Sequence, residues 1–325
     1  MAKEIKTIGV LTSGGDAPGM NAAVRAVVRT ALSKGIKVKG IERGYNGLLH
    51  NEMRDMDLRS VSEIIHRGGT VLYTARCLEF LTKEGQEQGA QCCRDNGIDA
   101  LVVIGGDGSF KGARALANLG IPCIGIPGTI DNDIACSEYT IGYDTAMNTA
   151  VEMVDKLRDT TQSHDRCSVV EVMGRHAGYI ALNVGIATGA IATLIPERPY
   201  DLERDILDRM SFTQKTGKKH FIIVKAEGVS GTAQDLANEI QARTGIDSRA
   251  TVLGHVQRGG APTLRDRVTA SQMGYQAVYL LERGIFNRVV AVSADQIVDY
   301  DINVALAMHK TIDTKMIDVA NTISI

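Results

Sequence analysis

The sequence shows no excess of either charge, no Cys-x-x-Cys pair, no low-complexity tract and no unbroken apolar run long enough to cross a membrane. Each absence removes a class of function. A formal net charge of -2 with 23% charged residues argues against a nucleic-acid binder or a polybasic membrane binder, so any Lys or Arg that matters acts locally. The longest apolar region, Ile180 to Ile195, is interrupted by Asn183, two Thr and two Gly and stops at Pro196, so it does not read as a membrane span. The opening Met-Ala-Lys-Glu-Ile-Lys enters a strand directly and carries no apolar signal segment. The six cysteines include an adjacent pair, Cys92 and Cys93, but no zinc-site spacing, and a chain this large needs no disulfide framework. A reduced, cytoplasmic protein is the expectation, and 325 residues suggest about two domains.

What is present is a repeated pattern of buried strand, glycine-rich turn and helix. Ile5 to Thr12 is a strand candidate; Ser13-Gly-Gly-Asp-Ala-Pro-Gly-Met-Asn21 follows, with helical period from Asn21 to Leu32 and a strand from Val38 to Glu42. Ala100-Leu-Val-Val-Ile104 is a further buried strand, followed by Gly105-Gly-Asp-Gly-Ser109 and a helix to about Asn118. Another strand, Ile121 to Ile126, runs into Gly125-Ile-Pro-Gly-Thr-Ile-Asp-Asn-Asp133, a loop too rich in acid and amide groups for a core. The segment from Tyr45 to Arg76 has no clear period. After a long helix from Asp144 to Thr161, a second series has strands at Ser168 to Met173, Thr193 to Ile195, Phe221 to Lys225 and Ala250 to Val256. Its helices are expected at Asp201 to Gln214 and Ala233 to Arg243, and the chain closes with a helix at Thr263 to Arg283, a strand at Val289 to Val298 and a helix at Ile302 to Met308. The expected fold is α/β, two doubly wound domains with mostly parallel sheets and the active site in the cleft between them. The expected division is residues 1–140 plus 257–325, and residues 141–256.

The glycine-rich turns, Gly14-Gly15 and Gly105-Gly106-Asp107-Gly108, place bare N–H groups before helix N-termini, a geometry that attracts phosphate. Neither fits a common fingerprint. Gly14 to Asn21 ends in Met20-Asn21 where a Walker A loop has Lys-Ser/Thr, and Gly106 to Gly112 has the wrong spacing for a dinucleotide motif. Asp107 beside a phosphate cradle would repel the ligand unless a cation such as Mg²⁺ lay between them. A phosphate site, a metal carboxylate and a second acidic cluster one strand away are the parts that phosphoryl transfer requires.

Five motifs in series carry a resemblance: Thr12-Ser-Gly-Gly-Asp16, Gly105-Gly-Asp-Gly108, Pro127-Gly-Thr-Ile-Asp-Asn-Asp133, Met173-Gly-Arg175 and Gly254-His-Val-Gln-Arg-Gly-Gly260. In order and spacing they resemble the bacterial ATP-dependent 6-phosphofructokinases over essentially the whole chain. That resemblance implies a glycolytic kinase that uses Mg²⁺ and ATP to phosphorylate fructose 6-phosphate at its 1-hydroxyl. It implies an ATP/Mg-binding first domain and a fructose 6-phosphate-binding second domain. Asp131 would be the general base, with Thr129 and Ile130 lining the sugar and Asp133 either acting in the chemistry or orienting the loop. Asp107 would hold Mg²⁺; Gly15, Arg76, Cys77, Gly106, Asp107, Gly108 and Ser109 would meet ATP. Met173, Gly174 and Arg175 would meet the sugar phosphate, with Arg175 also facing the transferred group. Glu227 would accept from a sugar hydroxyl, and His255, Val256, Gln257 and Arg258 would lie at the 6-phosphate end. Arg166 and Arg249 match positions supplied by a neighbouring subunit, which implies a homotetramer.

Two positions bear on the phosphoryl donor. In pyrophosphate-dependent relatives the residue after Gly-Gly-Asp is typically Asp and the one before Thr-Ile-Asp is typically Lys; here they are Gly108 and Gly128, so ATP is expected. The resemblance also implies an effector site for ADP or phosphoenolpyruvate, with Arg25, Arg29, Arg158 and Lys218 at its phosphate-binding positions. Leu58, Ile191 and Thr216 stand where the family has Arg, Glu and Lys, although Arg59 adjoins the first. A charged hydrogen bond is worth about 1.5–3 kcal/mol, so a weak effector response is expected. The alternatives are a pyrophosphate-dependent enzyme, a non-catalytic nucleotide-binding paralogue, or a lipid or NAD kinase sharing the Gly-Gly-Asp-Gly turn.

Overall fold

The computed structural model describes residues 5–324 and is mixed α/β with mostly parallel sheets. Its elements are, in chain order, β1 (Thr7–Thr12), α1 (Met20–Ser33), β2 (Lys37–Ile41), α2 (Gly44–Leu49), β3 (Met53–Met56), α3 (Lys83–Asp95), β4 (Ala100–Gly105), α4 (Asp107–Asn118), β5 (Cys123–Pro127) and α5 (Tyr143–Ser163). Then come β6 (Cys167–Val172), α6 (Tyr179–Ala187), β7 (Ala192–Leu194), α7 (Asp208–Gln214), β8 (Phe221–Ala226), α8 (Ala233–Thr244) and β9 (Ser248–Val252). The chain ends with α9 (Leu264–Glu282), β10 (Arg288–Ser293), β11 (Gln296–Asp301), α10 (Ile302–Ala307) and α11 (Thr314–Ile323).

The residues fall into two compact units. One runs to Thr145 and resumes over Arg258–Lys310; the other is Ala146–Gln257 with the segment from Thr311. Against the expectation that all of 257–325 belongs to the first domain, α11 packs on α6 and β7 in the second unit.

The first unit holds a seven-stranded sheet in the order β11-β10-β5-β4-β1-β2-β3, parallel except at the two edge pairs. Its centre is buried on both faces, as the all-apolar run Ala100–Ile104 of β4 demands, and such strands read as continuous Val/Ile/Leu runs. From β1 the chain crosses to β2 on one side, while β4 pairs β1 on the other. The strand order therefore reverses between β1 and β4, and ligands of open α/β sheets bind outside the carboxyl ends of strands at such a point. The second unit holds four parallel strands in the order β7-β8-β6-β9.

The structure departs from the sequence expectation at three places. Val289 to Val298 is not one strand but the hairpin β10–β11, because Ala294 and Asp295 both take positive φ, as a two-residue hairpin turn requires. The strand expected through Val256 stops at Val252, where Gly254–Arg258 turns into a 3₁₀ helix. The helix beginning near Asp201 opens with a π-helical turn, Glu203–Leu207. No described helix is long and apolar enough to cross a membrane.

Candidate active site

In the first unit, three loops leave the sheet side by side at the carboxyl ends of β1, β4 and β5. Backbone bonds Ser13 N to Ile104 O (2.9 Å) and Gly128 N to Gly105 O (3.0 Å) lock their bases together. Gly105 is required at the junction, since a Cβ there would stand 2.4 Å from the Ser13 carbonyl oxygen. The segment after Thr70 is drawn onto the first loop: the Thr12 hydroxyl donates to Tyr73 O (2.8 Å) and the Thr74 hydroxyl to Gly14 O (2.6 Å). That brings exposed Arg76 and half-buried Cys77 close in sequence to a segment docked beside Gly14.

Asp107 is the first residue of α4, and its carboxylate pairs with Lys111 one turn on at 2.7 Å. Both side chains are largely exposed, so the pair contributes little stability and is easily exchanged for another cation. The first-turn amides of Asp107 and Gly108 have no partner within the helix. A Cβ at Gly106 or Gly108 would meet no atom within 4 Å, so packing does not demand glycine at either. Gly128 differs: a Cβ there would stand 3.1 Å from Ile104 and 3.2 Å from Met20. Packing is thus tight at Gly128 and open at Gly108.

The third loop is tightly built. Asp131 is only 4% exposed, and its amide donates to the Thr129 hydroxyl at 3.3 Å. Asn132 takes positive φ, a conformation Asn tolerates, and its side-chain amide donates to Glu138 O at 3.2 Å. The Thr140 hydroxyl donates to Thr129 O at 2.6 Å. Ile130 is fully buried beneath and Asp133 is half-buried. Below the loop, Asp266 on α9 accepts from Gly142 N (2.7 Å), Thr145 N (2.9 Å), the Thr145 hydroxyl and the Tyr139 hydroxyl. Lys310, which sequence patterning does not single out, donates to Asn132 O and Ser137 O.

Arg258 also belongs to this unit. Its guanidinium lies against Gly15, where a Cβ would be 2.6 Å away, and donates to Asp16 O at 3.0 Å.

In the second unit the Met173–Arg175 turn leaves the carboxyl end of β6. Gly174 (φ +145) must be glycine, because a Cβ would lie 2.5 Å from Ala177 O. One oxygen of Glu227, just past β8, accepts from Gly174 N (3.1 Å) and Arg175 N (2.7 Å), which holds Arg175 at positive φ with its side chain exposed. Gln257 is wholly buried, accepting from Met173 N at 2.8 Å and donating to Ala146 O at 3.5 Å, so its amide supports the turn from below. His255 and Val256 are exposed on the preceding residues.

Arg166 and Arg249 converge elsewhere, on Asp247, whose carboxyl the Arg166 hydrogen bond, with Arg249, holds below the usual range. They sit at the amino ends of β6 and β9, whereas Met173–Arg175 lies at the carboxyl end of β6. A six-residue strand at ~3.3 Å per residue separates them by roughly 17–20 Å.

The residues that the resemblance expects at an effector site fall into two groups. Arg25 and Arg29 lie one turn apart on α1, where burial, then the neighbouring Arg29, lowers the Arg25 pKa against the opposing Glu63. In the second unit Arg158 donates to Thr188 O, and Lys218 and His220 are pushed down by burial with Arg158 adding to each. Leu58 and Thr216 are exposed and uncharged, and Ile191 is fully buried.

A parallel sheet with glycine-rich turns at its switch point and a guarded carboxylate on the same rim is the construction of an α/β protein that handles a phosphorylated ligand. The phosphofructokinase family model matches residues 7–281. An ATP-dependent 6-phosphofructokinase of Clostridium botulinum (strain Loch Maree / Type A3) is 54% identical over 320 residues, 98% of this chain and 100% of that protein. One from Clostridioides difficile (strain 630) is 54% identical over 321 residues, 99% of this chain and all of that one. Among solved structures, phosphofructokinase from Saccharomyces cerevisiae superposes with a TM-score of 0.89 at 35% identity, covering 98% of this chain but only 48% of the yeast chain. A pyrophosphate-dependent phosphofructokinase from Marinobacter aquaeolei gives 0.86 at 25% identity, covering 96% of this chain and 86% of that one. The chain belongs to the phosphofructokinase family.

Proposed function

We propose that this chain transfers the γ-phosphoryl group of ATP to the 1-hydroxyl of fructose 6-phosphate, releasing ADP and fructose 1,6-bisphosphate as a cytoplasmic step of glycolysis. The reading is supported by full-length similarity to proteins named ATP-dependent 6-phosphofructokinase and by open space at Gly108, where a Cβ would meet no atom within 4 Å. The first unit is assigned to ATP, metal and the general-base loop, with its Arg258 serving the sugar phosphate, and the second unit to the remaining sugar-phosphate residues.

In this mechanism Gly15, Gly106 and Gly108 present backbone donors to the nucleotide phosphates, Ser109, whose own amide already donates to Gly106 O at 2.9 Å, lies beside them, and Arg76 neutralises the phosphates with Cys77 nearby. Asp107 fits a divalent ion. It is an exposed carboxylate, and no described cluster of three or more His, Cys, Asp or Glu could form an all-protein cage, which suits Mg²⁺ held by a carboxylate, phosphate oxygens and water. Bound there, Mg²⁺ would neutralise developing phosphate charge. Asp131 takes the proton of the 1-hydroxyl as that oxygen forms its bond to the γ-phosphorus and the bond to ADP breaks. Thr129 and Ile130 shape the sugar side of the loop. Arg175, an exposed guanidinium on a fixed turn, steadies the transferred group, and His255 and Arg258 serve the 6-phosphate dianion. Because Glu227 is already bonded to two amides through one oxygen, its other oxygen is the one assigned to a sugar hydroxyl.

The assignment of Arg166 and Arg249 to a neighbouring subunit is favoured by their place at the opposite strand ends from Arg175. It carries with it a homotetramer, which a sedimentation mass of four chains would support and a monomer would refute. A coupled assay with fructose 6-phosphate tests the activity: ATP with Mg²⁺ supports turnover, pyrophosphate does not, and the saturation curve is near-hyperbolic. Turnover with pyrophosphate alone would reverse the donor assignment, and steep sigmoidal kinetics with strong phosphoenolpyruvate inhibition would overturn the weak effector response.

A further inference from the structure

We propose that Lys310 is a positioning residue for the general base: its ammonium closes the Asp131–Ser137 turn and thereby fixes the Asp131 carboxylate for proton abstraction. The inference rests on the reading of Asp131 as base.

The observation is a single cation bridging two carbonyls of one loop. Lys310 Nζ donates to Asn132 O at 2.8 Å and to Ser137 O at 2.7 Å. Asn132 is the residue immediately after Asp131 and stands in the left-handed region; its carbonyl, one peptide beyond the link that joins Asp131 to Asn132, is the group Lys310 grips, so the bond pins Asn132, and through its fixed backbone the residue before it. Ser137, at the other end, is itself fixed: its hydroxyl donates to Tyr139 O at 2.6 Å and accepts from Val292 N on β10 at 3.0 Å. The ammonium therefore ties a conformationally restricted residue beside the base to a point anchored on the sheet.

The site is an unfavourable one for a lysine unless the bridge matters. Burial pushes the Lys310 pKa down to about 8, against the opposing pull of Asp133, Cys136 and Glu138 that surround it. An apolar residue would avoid that desolvation but would leave two inward-facing carbonyls without their charged donor, and charge-assisted bonds are about twice as strong as neutral ones. Lys310 is the last residue of the first unit, in the irregular segment after α10, 178 residues from Asn132. No local pattern links the two.

A positioning role and a merely structural one separate in kinetics. Lys310→Met is expected to lower kcat roughly 10–100-fold, the scale of a misplacement near 1 Å, with KM for ATP and for fructose 6-phosphate within about threefold. Lys310→Arg, which keeps the charge and the donors, restores most of the loss. In an Asp131→Ser background Lys310→Met lowers kcat no further, because a residue acting through Asp131 has nothing left to position. If Lys310→Met fails to fold, Lys310→Gln supplies the same comparison with a neutral donor. A crippled Asp131→Ser beside a fully active Lys310→Met overturns the role of Lys310 alone. Additive losses in the double variant also overturn it. Near-normal turnover in Asp131→Ser removes the base and this inference with it.

Discussion

The two units present opposite solutions at the ends of their central strands. In the first, the turns after β1 and β4 are short of side chains, and the opening amides of α4 are left without intrahelical partners. In the second, the corresponding amides at Gly174 and Arg175 are already taken by the protein's own carboxylate, Glu227. The first rim offers backbone donors and, at Gly106 and Gly108, open space, with the Arg258 guanidinium lying against Gly15; the second offers the exposed Arg175 on a backbone that is internally satisfied. A polyphosphate with many oxygens suits the first, because a row of amides and a helix end spread attraction over several atoms. A single phosphate dianion suits the second, because an Arg fork meets it with fixed geometry.

The largest expected effect tests the division of labour on the first rim. Asp131→Ser lowers kcat by roughly 10²–10⁴-fold, the usual contribution of a positioned general base, while KM values change little. A loss confined to KM would move Asp131 from chemistry to binding and erase the contrast between a reacting rim and a gripping rim. Next in size is Glu227→Gln. It removes the charged acceptor of two amides, and at about 1.5–3 kcal/mol for a charged hydrogen bond the KM for fructose 6-phosphate should rise roughly 10–100-fold, with ATP affinity unchanged. A rise in KM for ATP of the same size would show that the two rims do not divide their ligands.

The sequence made the first rim legible because its constraints are local. Strands such as Ala100–Ile104, buried on both faces, must be apolar throughout, and the turns that follow need glycine where backbones meet, as at Gly105 against Ser13. The carboxylates then stand out as residues the core cannot use. Other parts were opaque because their support is distant. Residues 45–76 contain β3 and all but the first residue of α2, yet α2 is Gly-Tyr-Asn-Gly-Leu-Leu, a poor helix former, and what fixes the segment is long-range: Arg43 N to Leu72 O, and Tyr45 stacked on Phe80 with its hydroxyl donating to Ser109 O. The hairpin turn at Ala294-Asp295 lacks the glycine that usually marks positive φ. Gln257 reads as a surface ligand in its motif and is buried scaffold in the fold, because an amide beneath the Met173 turn satisfies backbone groups on both sides. Lys310 carries no signal at all in a stretch reading Met-His-Lys-Thr.

The smallest effects separate two glycines that look alike in the motif. Gly108 sits in the first turn of α4 with no atom within 4 Å of a prospective Cβ, so Gly108→Ala should leave the melting temperature unchanged or raise it, as replacing a helical Gly is worth up to about 1 kcal/mol. Its cost should fall on the ligand, as a higher KM for ATP with the KM for fructose 6-phosphate unchanged. Gly128→Ala pushes a methyl to within 3.1 Å of Ile104 and 3.2 Å of Met20, two fully buried side chains, and should destabilise by about 1–3 kcal/mol, the range for overpacked cores. Thermal melts and ATP titrations on the two variants therefore move in different columns. If Gly128→Ala melts like the parent and instead loses ATP, then the third loop is as open as the second, and both glycines select the donor; if Gly108→Ala loses stability without losing ATP, the bare turn after β4 is a packing device and the contrast between the two rims fails at its base.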